Sequence, residues 1–253
     1  MRVLVTRPEP GAARTAERLS RLGHDAALMP LFQATVTASL DDLPPVPEIS
    51  GLIATSARAF DMFEGVDVAA AGIANLPVNA VGPATAQAAR EAGFANVLQG
   101  GGTARALSQE LAAAEAQSPG DFKGNLAGSQ KVLVYLAGEP RTPVIEAALE
   151  AQKIDHVVVE CYKMSEISYS TDIVISDILS PAPDVILLYS SRAARRFTAL
   201  TSAENMDDFL RFSRFLCLSA SISSELPAEW QARALVAERP EEDSLIRSLA
   251  KLA

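Results

Sequence analysis

A strand-to-helix signature occurs twice in this chain and narrows its fold more than any other feature. Leu52-Ile53-Ala54-Thr55-Ser56-Ala57-Arg58-Ala59 returns as Ile186-Leu187-Leu188-Tyr189-Ser190-Ser191-Arg192-Ala193. Each copy is an apolar run of strand length that ends in hydroxyl residues, with an arginine where a helix begins. The first turn of a helix leaves backbone N–H groups unpaired and carries partial positive charge, so it attracts anions. Two such starts predict two domains facing one polyanionic ligand.

The same alternation runs through the rest of the chain. Arg2 to Thr6 reads as a strand, followed by a helix with Ala12, Ala16, Leu19 and Leu22 on one face and Gly23 just past its end. Asp25 to Phe32 reads as extended. Strands at Gly51 to Thr55 and Val78 to Val81 precede helices from Ala57 and from Pro83 to Ala92. A further helix carries Ala104, Leu107, Leu111 and Ala114, and Ala116 to Gln130 reads as a surface crossover. Strands from Lys131, Asp155, Asp184, Arg214 and Arg233 follow, with helices near Pro143 to Ala151, from Ser191, and at the end with Leu245, Leu249 and Leu252. Such alternation implies parallel sheets covered on both faces. Ser39 to Glu48, with Pro44, Pro45 and Pro47, and the polar Lys163 to Asp172 are candidate linkers. Two linkers suggest that one domain is inserted into the other.

Composition removes several function classes. The net charge of -9 argues against a nucleic-acid binder, which would show a basic face. No stretch approaches the roughly 18 apolar residues needed to span a bilayer, and Val3-Leu4-Val5 between Arg2 and Arg7 is far shorter than a secretory leader core. Cys161 and Cys217 stand in apolar, strand-like contexts and read as buried thiols of a cytoplasmic protein. His24 and His156 are too few for a common metal site, and no CxxC, HExxH or cation-loop spacing exists. Gly100-Gly101-Gly102-Thr103 lacks dinucleotide spacing and reads as a loop with a helix cap at Thr103. No nucleophile elbow is present.

What remains is a set of helix starts at strand ends, where ligands bind in parallel sheets. They are Thr6-Arg7, Thr55-Ser56 with Arg58, Gly82-Pro83 with Thr85, Gly138 with Arg141, Ser190-Ser191-Arg192, and Ser219-Ala220-Ser221. Taken singly, Ser56, Ser190 and Gly82 can be helix caps, with Pro83 at the first helical position. Their repetition in equivalent places, with arginines attached, points to a shared cleft for a polyanion.

Here the chain resembles the uroporphyrinogen-III synthase family. The resemblance is carried, in order, by Val3-Leu4-Val5-Thr6-Arg7-Pro8, Leu52-Ile53-Ala54-Thr55-Ser56, Ala80-Val81-Gly82-Pro83-Ala84-Thr85-Ala86 and Glu91-Ala92-Gly93-Phe94. It continues through Val132-Leu133-Val134-Tyr135-Leu136-Ala137-Gly138 and Val159-Glu160-Cys161-Tyr162. It implies an α/β chain of two flavodoxin-like parallel-sheet domains joined by a two-stranded linker. The discontinuous domain would comprise 1–34 plus 166–253, the inserted one 38–160, with linker strands near 33–38 and 159–166. The implied activity is a cofactor-free lyase reaction, cyclisation of hydroxymethylbilane with inversion of the last ring and loss of water. The implied setting is a cytoplasmic monomer in transient contact with the preceding pathway enzyme. Tyr162 looks like the family's tyrosine near the cleft, and Thr85 like its threonine in the Gly-Pro-x-Thr turn; these are the catalytic candidates. Ser56, Arg58 and Ser190 match substrate-contacting positions, beside the further binding candidates Thr6, Arg7, Thr55, Gly82, Pro83, Gly138, Arg141, Ser191, Arg192 and Ser221. Ser219-Ala220-Ser221-Ile222 departs from the family's Gly-Pro-Thr-Thr-like turn, since Ile222 cannot donate a hydrogen bond. The rivals are a non-catalytic two-domain anion-binding protein and a pair of receiver-like domains. The second needs a cluster of acids at strand ends, whereas these turns carry Ser, Thr and Arg.

Overall fold

The computed structural model describes residues 1–101, 106, 131–202 and 206–252. The Thr103 cap, the helix of Leu107 and Leu111, and the crossover at 116–130 lie outside these residues. The strands are β1 (Arg2–Val5), β2 (Asp25–Leu28), β3 (Phe32–Val36), β4 (Ile49–Ala54), β5 (Val78–Ala80), β6 (Val97–Gln99), β7 (Val132–Glu139), β8 (His156–Glu166), β9 (Val185–Leu188), β10 (Arg214–Cys217) and β11 (Ala234–Val236). They form two sheets, ordered β11-β10-β9-β1-β2 and β3-β8-β7-β4-β5-β6. The chain divides into two compact units, 1–33 with 165–253, and 34–164. Both are α/β with parallel pairing, as the alternation implies.

In the first unit the chain order of the strands across the sheet is 2-1-3-4-5, the flavodoxin order. The strands are apolar on both faces because helices cover both. Val3, Val5, Leu187 and Leu216 pack with Leu19, Leu245 and Leu249. On the opposite face Phe215 stacks on Trp230 at 4.9 Å, and Phe197 meets both rings. The first helix, Gly11–Arg21, buries Ala12 and Leu19 and stops before Gly23, whose φ of +79° suits a helix exit.

In the second unit strands β4 to β8 lie in the order 3-2-1-4-5, with β3 added beside β8. Leu52, Ala54, Val134 and Leu136 face Phe60, Phe63 and Phe94, while Ile53, Leu133 and Tyr135 face Ile145, Leu149 and Ile154. Successive residues of each strand thus enter opposite cores.

Three elements differ from the sequence reading. Asp25 to Phe32 is not one extended run but β2 and β3, which belong to different sheets; Pro30 interrupts the ladder between them. The helix from Ala57 is 3-10, Ala57–Phe63. In that geometry residues three apart eclipse, and Phe60 and Phe63 both pack edge-on against Phe94. The last helix runs from Glu242 to Arg247 and tightens to 3-10 over Ser248–Lys251. The proline-rich stretch at 39–48 lies within the second unit, where Leu40, Leu43 and Val46 pack on its core.

Cys161 and Cys217 are fully buried, and burial pushes each thiol up to about 12. Both should be silent to an aromatic disulfide reagent at pH 8 and react together once denaturant unfolds the chain. Because the folded thiols hold their protons longer than unfolded ones, stability is full below about pH 8.5 and declines as pH rises toward 12. Rapid labelling of native protein would contradict this burial.

Candidate functional site

Parallel sheets offer ligands the carboxyl ends of their strands, above all where the strand order reverses. In the first unit that point lies between β1 and β9, and in the second between β4 and β7. The turns read from the sequence flank both points. Thr6 and Arg7 follow β1, and Ser190, Ser191 and Arg192 follow β9. Thr55, Ser56 and Arg58 follow β4, and Gly138 and Arg141 lie at the end of β7.

A threonine bridges each reversal. Thr6, wholly buried, donates from Oγ1 to the Leu187 carbonyl at 2.6 Å. Thr55 Oγ1 lies 3.2 Å from the Tyr135 hydroxyl. Both bonds tie the strand on one side of the switch to its neighbour on the other and fix the turns above them.

In the first unit Arg7 pairs with Glu242 at 2.9 Å and lies over the Tyr189 ring, 4.9 Å from its centroid. Glu242 also accepts from Thr15 and pairs with Arg18 at 3.5 Å. The Tyr189 hydroxyl is buried beside Thr15 and Arg7 without hydrogen-bonding geometry to either, and burial pushes its pKa up to about 12. Ser190 caps the helix Ser191–Thr201, its Oγ accepting from the Ala193 amide at 3.1 Å. Its own proton stays free to donate. Ser191 donates to the Ser221 carbonyl at 3.2 Å, joining the turns after β9 and β10, and Ser219 and Ser221 share a 2.9 Å contact. Arg192 lies 4.3 Å from the centroid of Phe32. Ile222, where a hydroxyl was missing, is buried and supplies packing.

In the second unit Ser56 Oγ accepts from the Arg58 amide at 3.3 Å. Gly82 precedes Pro83 at the head of the helix Pro83–Glu91, and no side chain caps it. Among the described residues this longest helix of the second unit therefore begins with amides that no side chain engages, and Thr85 sits buried in its first turn. Arg141 donates from Nε to Glu146 at 2.7 Å and from Nη1 to Glu160 at 2.8 Å. Those two carboxylates hold its guanidinium protonated more firmly still, Glu160 most. Burial raises Tyr135, and its contact with Thr55 opposes this. Tyr162 is paired in register with Gly138 across a bulge between β7 and β8, and its phenol lies directly over the glycine. A Cβ at residue 138 would overlap Tyr162 Cζ and lie 2.5 Å from its hydroxyl.

Every site candidate but Tyr162 thus stands at a strand's carboxyl end or in the turn beyond it, within its own unit; Tyr162 lies inside β8, level with Gly138 near the end of β7. Sequence reasoning missed Glu242, Glu146 and Glu160, the carboxylates that engage Arg7 and Arg141. They lie far away in the chain or carry no motif, so nothing in the local sequence marks them. Among the described residues no group of three acidic, histidine or cysteine side chains could hold a metal ion, and no helix is long and apolar enough to cross a membrane.

These features define a class: a protein of two parallel α/β units, each with hydroxyl- and arginine-bearing helix starts at its switch point. The sequence model of uroporphyrinogen-III synthase HemD matches residues 13–247, so the chain belongs to that family. The fold is similar to that of uroporphyrinogen-III synthetase from Helicobacter pylori, with a TM-score of 0.62, 14% identity and 100% coverage of both chains. It is also similar to a mutant uroporphyrinogen III synthase from Thermus thermophilus, with a TM-score of 0.54, 16% identity, and 99% and 98% coverage. No curated protein sequence matches significantly.

Proposed function

We propose that this protein cyclises hydroxymethylbilane to uroporphyrinogen III, inverting the last ring and releasing water, in heme biosynthesis. The observation that carries the reading is the family match across residues 13–247. The helix starts at the two switch points support it, because the substrate is a flexible chain of pyrroles bearing many carboxylates. Backbone amides can hold such acids without a basic surface, which suits a net charge of -9. Each charge–dipole contact contributes about 0.3–1 kcal/mol where exposed, so several must act together.

In this reading the terminal hydroxyl leaves as water, and the resulting azafulvene is attacked by the substituted carbon of the last ring. The spiro intermediate fragments and recloses in the opposite orientation. The precursor also closes without inversion in water, so the protein's task is to impose geometry. Holding reacting centres in place can supply about 7–11 kcal/mol. Tyr162 assists the departing hydroxyl by donating a hydrogen bond, and Thr85 orients the chain at the Gly82-Pro83 turn. Arg141 is less available than its sequence position suggested, since Glu146 and Glu160 already engage it.

Incubation with hydroxymethylbilane and chromatographic separation of the isomers tests the reaction. The III isomer is expected; the I isomer alone would instead favour a non-catalytic binding protein. Tyr162→Phe should lower turnover about 10- to 100-fold with an unchanged unfolding transition. Full turnover in that variant removes the hydroxyl from the mechanism.

A further inference from the structure

At the other end of the first sheet lies a feature that the synthase reading does not use. Arg211 and Phe212 precede β10, Arg214 opens it, and Arg233 immediately precedes β11. With Ala232, Ala234 and Leu235 they line a cavity of about 540 Å³. These positions are at the amino ends of the strands, whereas the switch-point turns are at the carboxyl ends.

Phe212 is 85% exposed, yet its loop is firmly held. Ser213 is buried and donates to the Pro183 carbonyl at 2.6 Å. Arg233 donates from Nη1 to the carbonyls of Leu210, Arg211 and Ser213 at 2.6, 2.9 and 2.8 Å, and its guanidinium faces the Phe215 ring. The Phe212 ring is therefore presented to solvent by a pinned loop, with Arg211 beside it at 5.4 Å. Among the described residues no carboxylate forms an ion pair with Arg211, Arg214 or Arg233. Asp184 lines an adjoining cavity with Arg214 and accepts from the Arg2 amide. Arg233 is thus spent on backbone carbonyls, while among the described residues the guanidinium groups of Arg211 and Arg214 share one opening with no carboxylate paired to them.

We infer that this cavity binds a compact polyanion carrying a planar ring, of the class of a nucleoside diphosphate. Guanidinium groups recognise phosphate oxygens through paired, charge-assisted hydrogen bonds. An exposed aromatic side chain offers a face on which a base stacks. The volume suits a small molecule. An extended nucleic acid would meet a chain of net charge -9 beyond the patch, so a compact ligand fits better.

The test is calorimetric titration of the intact protein with ADP, pyrophosphate and adenosine at low salt. ADP should bind about 10-fold more tightly than pyrophosphate, and adenosine should give no heat. Arg214→Ala should weaken ADP and pyrophosphate alike by about 10-fold, whereas Phe212→Ala should erase the advantage of ADP over pyrophosphate. Both side chains are exposed, so melting curves should not move. Synthase turnover without nucleotide should be unchanged in both variants, which separates this site from the proposed reaction. Absence of ADP binding, ADP binding indifferent to both substitutions, or displacement of ADP by uroporphyrinogen would each overturn the inference.

Discussion

Gly138→Ala should reduce the rate of uroporphyrinogen III formation about 100-fold while leaving the chain folded. The expectation comes from one contact. The phenol of Tyr162 lies directly over residue 138, and a methyl group there would occupy the place of the Tyr162 ring. Glycine is needed for this close approach, not for an unusual backbone angle. The backbone cannot retreat readily, because β7 is held by β4 as far as Leu136 and by β8 on through Gly138 to Glu139. Tyr162 is half-buried, so its side chain yields first. Overpacking of this kind costs about 1–3 kcal/mol of stability. A shift of about 1 Å in a reacting group can by itself cost about 100-fold in rate. The variant should therefore melt only modestly earlier yet release mainly the non-inverted isomer that forms in water. A double substitution sharpens the test. If the methyl acts through Tyr162, Gly138→Ala with Tyr162→Phe should be hardly slower than the worse single variant. Normal isomer ratios in Gly138→Ala would show that the placement of Tyr162 does not matter.

Much of this arrangement was legible before any coordinates. Strands and helices alternate with apolar runs too continuous for a one-sided sheet, and that pattern alone implies parallel sheets covered twice. The helix Pro83–Glu91 ends within a residue of its expected limit, because proline sets its first turn and glycine follows its last. The turns of Thr6, Thr55, Gly138 and Ser190 were visible because hydroxyl residues, glycine and arginine gather there. Pairing across the fold was not visible. Nothing beside Arg7 in the sequence announces Glu242, which lies at the far end of the chain and arrives through the turn after β11. The capping roles of Ser56 and Ser190, by contrast, were legible, because serine at a strand-to-helix turn is a preferred cap and both accept from their own helices. The break between β2 and β3 was missed for a related reason. A continuous apolar run shows that a segment is buried, not which sheet takes each half.

Glu242→Ala should destabilise the first unit by about 2 kcal/mol, and the loss should be separable from catalysis. The carboxylate serves three partners, accepting from Thr15 and pairing with Arg7 and Arg18. Arg7 and Glu242 are only 28% and 26% exposed at their side chains, so solvent screens their pair partially. That places the cost between the 0–1 kcal/mol or so of a surface pair and the roughly 3–5 kcal/mol of a fully buried one. Removal also strands the Arg7 guanidinium over Tyr189, whose buried hydroxyl already lacks a partner. At this chain length the change corresponds to roughly 4–8 °C in melting temperature. Asp243→Asn is the control, since Asp243 pairs with Arg18 from a side chain 65% exposed and should shift melting by less than about 4 °C, below the shift from Glu242→Ala. The same variant bears on Arg7. If that arginine chiefly braces the turn after β1, Glu242→Ala should lower the melting temperature and leave the KM for hydroxymethylbilane within about twofold. A substantial fall in KM would mean that Glu242 shields a guanidinium the substrate can use, and Arg7 would then belong with the residues that grip its carboxylates.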